Sequence, residues 1–219
     1  MSIERRQTSL KQAKRVTVKR DENGEPTEIS GYSAVFYDAS KPDSEYWLYD
    51  DHVERLQVGC FDNVLEDDAR ALYNHQPENL LGRVSNGTCE LWVDDIGLGF
   101  RVPIDNDDPD HLRVIAKIKR GDLSGCSFAF SNPSSTWEET EQDGKAIWIR
   151  NITDVGNLHD VGPVTYPAYE ATEVGLRTAA PNQAELANAR SALAAHRQDI
   201  DNQRWSQKIE IDERLAELG

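Results

Sequence analysis

No stretch of this 219-residue chain approaches the ~18 consecutive apolar residues that a membrane-spanning helix needs, and residues 1–20 lack the apolar centre of a secretory signal. A cytoplasmic location is the expectation. Cysteine is scarce: Cys60, Cys89 and Cys126 are scattered, with no C-x-x-C pair, which argues against a disulfide framework and a zinc knuckle and fits a reducing compartment. Positive charge is also short, 24 Lys and Arg against 39 Asp and Glu. The net charge of −15 suits neither nucleic acid nor an anionic membrane surface as a general partner. There is no glycine-rich phosphate loop and no metalloprotease-like spacing of His and carboxylate. Asp105, Asp107, Asp108 and Asp110 lack the spacing of a calcium loop and read as a solvated acidic loop.

What is present fits one sizeable core with appendages, given the length and a hydrophobic content of 38%. The charge is unevenly spread. Up to residue 20 there are seven basic residues (Arg5, Arg6, Lys11, Lys14, Arg15, Lys19, Arg20) against Glu4 alone. This stretch reads as a solvated leader, or as an arm for an acidic surface.

Strand signals recur through the middle of the chain. Residues 15–18 and 29–37 flank Asn23-Gly24 and predict a hairpin. Residues 69–73, 88–93 and 98–102 continue the pattern, the last two joined by Asp94-Asp95-Ile96-Gly97 as turn material. Residues 126–130, 146–150 and 158–165 follow. The polar segment 38–45, with Pro42, reads as a loop that runs on past an apolar patch at 46–49 to Asp50-Asp51. One amphipathic helix is expected after Asp107 or Asp108, with Pro109 in its first turn, Leu112, Ile115, Ala116 and Lys119 on one stripe, and Gly121 at its end. Beyond Ala179-Ala180-Pro181, Leu186, Leu193 and Ile200 recur every seven residues around Ala189. That spacing predicts an amphipathic helix, packed on its own domain or on a partner helix.

Five histidines limit the search for a general base: His52, His75, His111, His159 and His196. His111 falls on the predicted helix, His196 in the tail and His52 in a loop. His75 follows the apolar strand Ala71-Leu72-Tyr73 and precedes Pro77, a place where a strand end presents a side chain. Ser127 lies in Gly125-Cys126-Ser127-Phe128-Ala129-Phe130, where alternation puts Cys126, Phe128 and Phe130 on one face and Ser127 with Ala129 on the other, among small neighbours and accessible. Cys126 is an alternative nucleophile, although its face argues for burial. The surroundings of Ser127 are not a G-x-S-x-G elbow.

Several segments then align with one pattern. Gly31-Tyr32-Ser33-Ala34-Val35-Phe36 comes first, followed by Asn74-His75 with Leu80-Leu81-Gly82-Arg83. Next are Gly87-Thr88-Cys89-Glu90-Leu91, Asp94-Asp95-Ile96-Gly97-Leu98, Arg120-Gly121-Asp122-Leu123-Ser124-Gly125 and Ser127-Phe128-Ala129-Phe130. Asp160-Val161-Gly162-Pro163-Val164-Thr165-Tyr166-Pro167-Ala168-Tyr169 ends the series. In this order they resemble the prohead serine proteases of tailed bacteriophages, with Gln76 where that family has aspartate and Ala129 where it has glycine. The resemblance runs from about Gly31 to Arg177.

The resemblance implies an α+β fold with a herpesvirus-protease-like antiparallel β-barrel, packed helices and a C-terminal helical tail. With the arm read from its charge and the tail from its composition, the expected organisation is a basic arm over 1–20, a catalytic domain over 21–178, and a linker and tail over 179–219. The resemblance also implies a serine endopeptidase, working without a cofactor or metal in the host cytoplasm inside the assembling prohead. Its substrates would be scaffold or the capsid protein's scaffold segment, and itself, with self-association in prospect. By position, His75 matches the general base and Ser127 the nucleophile, and Asp160 stands where the family has its third residue. His159 remains the alternative for that place, and alternation lets only one of the two face His75. Arg150 reads as a surface strand-end arginine or an electrostatic contributor. A catalytically silent assembly protein of the same fold is the rival reading.

Overall fold

Short β-forming segments dominate a computed structural model of the protein, which describes residues 3–7 and 16–166 and the single positions Ser191 and Gln198. The strands are β1 (Glu4–Gln7), β2 (Thr17–Arg20), β3 (Pro26–Val35), β4 (Tyr46–Tyr49), β5 (His52–Leu56), β6 (Arg70–Leu72) and β7 (Leu80–Arg83). They continue as β8 (Glu90–Val93), β9 (Gly97–Pro103), β10 (Gly125–Ser131), β11 (Ser134–Gln142), β12 (Lys145–Asp154) and β13 (Asn157–Val164). One α-helix, α1 (Pro109–Arg120), lies between β9 and β10.

The local signals work where they are strongest. Asp21 Oδ1 accepts from the amides of Asn23 and Glu25, both at 2.9 Å, and Gly24 takes the left-handed conformation, so β2 and β3 close as the expected hairpin. Asp108 caps α1 by accepting from the Asp110 amide, with Pro109 in the first turn and Gly121 left-handed at the end. The buried stripe is His111, Val114 and Ile115, whereas Leu112 is 45% exposed. The helix is thus rotated from the Leu112-based stripe. His111 takes an inner place because its ring is satisfied there, Nε2 against the Leu81 carbonyl at 2.8 Å and Nδ1 accepting the Asp105 amide at 3.0 Å.

The expected closed antiparallel barrel is corrected to three open sheets, ordered β1-β10-β13-β6-β7, β11-β12-β5-β4 and β2-β3-β9-β8. Closure requires the two outer strands of a sheet to pair in a consistent stagger. Here β1 and β7, β11 and β4, and β2 and β8 end their sheets instead. Two pairings are parallel, β5 with β12 and β6 with β13. Among the described residues α1 is the one α-helix, where packed helices were expected.

Phe61, Phe100, Phe128, Phe130, Ile29 and Leu98 are fully buried in the core. Phe128 stacks on Phe130 at 5.1 Å and meets Phe61 edge-on at 5.5 Å, so the inward face of β10 is anchored by aromatic packing. Burying each such side chain contributes about 1.5–3 kcal/mol.

Within the basic N-terminal stretch, Glu4–Gln7 pairs with β10, where a solvated leader or an arm for an acidic surface was expected, while Thr17–Arg20 pairs with β3 in the expected hairpin. Its backbone groups are satisfied by sheet neighbours rather than by water. The linker at Pro181 and the heptad positions Leu186, Leu193 and Ile200 lie outside the described residues, as does His196. No described helix is long and apolar enough to cross a membrane.

Candidate active site

β6 ends in a turn that few residues tolerate. Asn74 and His75 are consecutive left-handed residues, with φ of 57° and 56°. Such backbone costs about 1–3 kcal/mol for each non-glycine residue and persists where its surroundings enforce it. Asn74 supplies that enforcement. Its amide donates to the Pro163 carbonyl at 3.0 Å, its Nδ2 donates to Thr165 Oγ1 at 2.9 Å, and its Oδ1 accepts the Thr165 amide at 2.7 Å. Tyr73 adds a hydroxyl contact to Thr165 Oγ1 at 2.9 Å. The turn before His75 is thereby tied to the end of β13.

β10 and β13 run antiparallel with Ser127 opposite Gly162 and Ala129 opposite Asp160, so alternation brings Ser127 and Asp160 to one face of the sheet. Gly162 allows this closeness. Its φ is 148°, and a Cβ there would lie 2.1 Å from the Leu72 carbonyl oxygen on β6. Across the face His75 reaches both neighbours: Nδ1 is 2.5 Å from Asp160 Oδ1 and Nε2 is 2.7 Å from Ser127 Oγ. With the Nδ1 proton donated to the carboxylate, Nε2 carries the lone pair that can take the hydroxyl proton.

His159 goes elsewhere. The register shifts between Ala129 and Phe130, skipping His159, and its Nε2 meets Ser131 Oγ at 2.8 Å. Of the two candidates for the third place, Asp160 is the one against His75. Cys126 points into the core beside Gly31, where a Cβ would meet its Sγ at 2.9 Å, and burial pushes its thiol up to about 12. A thiol held so far from ionisation is a poor nucleophile.

Three environments differ from what local sequence implies. Ser127 was expected to be accessible but is 0% exposed, because β1 pairs along β10 and the Arg6 carbonyl accepts a hydrogen bond from Ser127 Oγ at 2.8 Å. Arg150 is buried rather than superficial. Its guanidinium donates to Glu54 at 2.7 Å and to Glu4 at 3.1 Å. His52 lies inside β5, not in a loop, fully buried with both ring nitrogens lacking a hydrogen-bond partner among the described residues. It is 5.2 Å from the Trp137 ring, and burial lowers its pKa.

Sequence reasoning missed Glu54, which is 0% exposed and hydrogen-bonded to Arg6 and Arg150. Burial alone would raise its pKa, but the two guanidiniums outweigh burial and keep it ionised below the ordinary carboxylate range. Its only local signal is an acid between the apolar residues Val53 and Leu56 of the short run His52-Val53-Glu54-Arg55-Leu56.

No curated protein matches the sequence. Among solved structures, the bacteriophage T4 capsid assembly protease gp21 is similar at 12% identity and a TM-score of 0.41, over 75% of this chain and 98% of that one. The family profile of caudovirus prohead serine proteases matches residues 14–186, which contain Ser127, His75 and Asp160 and most of the chain. On that match the chain belongs to the caudovirus prohead serine protease family.

Proposed function

We propose that this chain is an active serine endopeptidase in which Ser127 attacks, His75 moves the proton and Asp160 holds the imidazole. The single observation that carries the reading is the continuous relay Asp160 to His75 to Ser127, at 2.5 and 2.7 Å. In acylation His75 takes the hydroxyl proton as Ser127 Oγ bonds to the peptide carbonyl carbon. The imidazolium is stabilised by Asp160 and returns the proton to the leaving amine. Water then hydrolyses the acyl-enzyme by the same relay. Chemistry of this kind needs no metal or cofactor.

The substrates on this reading are scaffold protein or the scaffold-like segment of the major capsid protein, and the protease itself, within the assembling prohead of a bacterial host. Co-expression with the phage capsid protein tests it. Trimming of the capsid protein by the wild type and none by Ser127→Ala is expected; equal trimming by both would end the assignment.

A further inference from the structure

Without β1, the outer edge of β10 would be a free strand edge directly beside Ser127, since β13 covers the other edge. Such an edge accepts an extended peptide through backbone hydrogen bonds and reads alternate side chains through pockets. β1 shows how one chain fits. Glu4 to Gln7 run antiparallel along Phe130 to Ser127, and Arg6 contributes the carbonyl that touches the Ser127 hydroxyl. The contact is to the oxygen, as a hydrogen bond, so the segment rests short of attack and competes with His75 for the hydroxyl proton.

The side chains of this segment are sorted by charge. Arg6 is buried, its guanidinium hydrogen-bonded to Glu54 and 5.5 Å from the Phe130 ring centroid. Glu4, two residues earlier and therefore on the same face, lies 3.1 Å from Arg150 and 2.7 Å from Arg6. Arg5 lies between them on the other face and is exposed. Glu54 and Arg150 belong to the body of the fold, on the neighbouring strands β5 and β12.

We propose that β1 occupies the substrate cleft, and that the protease selects extended chains with arginine at the residue whose carbonyl faces Ser127 and an acid two residues before it. Glu54 is the specificity residue for the arginine and Arg150 the one for the acid. Cleavage at such a Glu-x-Arg sequence breaks the amide after arginine. Ser127 Oγ forms an ester to the arginine carbonyl carbon, the proton from Ser127 passes through His75 to the leaving nitrogen, and water releases the new carboxylate. In the resting chain β1 is a resident occupant that an incoming substrate displaces. This deepens the proteolytic reading above and rests on it.

The test uses the full-length protein and fluorogenic peptide amides of the form Glu-Ala-X, with X as Arg, Leu or Glu, while a fluorophosphonate probe independently reports whether Ser127 is reactive. Wild type is expected to favour the Arg peptide in kcat/KM by at least about 100-fold, the scale set by a charge left unpaired in a buried site. Glu54→Gln should bring kcat/KM for the Arg peptide down towards that of the Leu peptide, abolishing most of that preference. Arg6→Ala, which empties the pocket without touching its walls, should raise turnover of the Arg peptide. Labelled enzyme that cleaves the Leu or Glu peptide as well as the Arg peptide overturns the pocket and leaves the protease reading standing. Absence of both labelling and hydrolysis overturns the two together. The wild-type profile decides the matter even if Glu54→Gln does not fold.

Discussion

Asn74 and Thr165 are joined by two hydrogen bonds, side-chain amide to hydroxyl and backbone amide to side-chain carbonyl, at 2.9 and 2.7 Å. This link fastens a left-handed turn on one strand to the end of another, and His75 is the next residue along. Asn74→Gly keeps the backbone freedom and deletes the clamp, whereas Asn74→Ala deletes the clamp and adds strain. Both should lower peptide hydrolysis by about 10- to 100-fold, and Asn74→Ala should lose about a further 1–3 kcal/mol of stability, the cost of a non-glycine residue held at positive φ. Hydrolysis rates paired with urea melts check this; full activity in Asn74→Gly would show that the turn holds His75 unaided.

Asp160 and His159 should separate by mutation, since only Asp160 touches His75. Asp160→Asn should reduce kcat by about 10⁴-fold with little change in KM, because the amide favours the wrong imidazole tautomer. His159→Ala loses only the bond to Ser131 and should retain activity within a few-fold. Steady-state kinetics on one peptide decides it, and the reverse ranking would move the third role to His159.

Cys126 should be chemically silent. Iodoacetamide applied to the folded enzyme should leave hydrolysis intact, since the thiol is buried and pushed up to about 12. Cys126→Ala should remain active and lose about 1 kcal/mol of stability from the small void it leaves. Stoichiometric inactivation by alkylation would reopen the cysteine as nucleophile.

His52 links stability to pH. Burial lowers its pKa in the fold, so below about 6.5 the unfolded chain takes up a proton that the folded chain refuses. The unfolded state then binds more protons, and stability falls as pH drops from about 6.5 toward the folded pKa, at up to about 1.4 kcal/mol per pH unit. Urea midpoints between pH 8 and 5 should decline less for His52→Phe than for wild type. Parallel slopes would mean that His52 ionises freely in the fold.

Local chemistry explains what could be read in advance. The hairpin at Asn23-Gly24 and the helix from Asp108 to Gly121 carry their turn and cap residues within a few positions, so their signals survive without tertiary information. Alternation along β10 also sorted Phe128 and Phe130 from Ser127, as their packing shows. Pairing between distant segments leaves no such mark. Nothing near Glu54 announces that β5 runs parallel to β12, and nothing in a basic N-terminal stretch reveals that Arg6 will lie over Ser127. The same gap explains the misjudged accessibility of Ser127 and the surface reading of Arg150. Small neighbours and charge were legible, but what covers them was not.

The order of the first sheet has a consequence for timing during synthesis. β13 sits between β10 and β6, so the strand bearing Asp160 is the piece that joins Ser127 to the His75 turn. A nascent chain that has exposed residues up to β12 holds a serine and a histidine with no scaffold to bring them together. On the proposed reading, the relay can assemble only after β13 has left the ribosome, so the site cannot act on its own growing polypeptide before that strand is made.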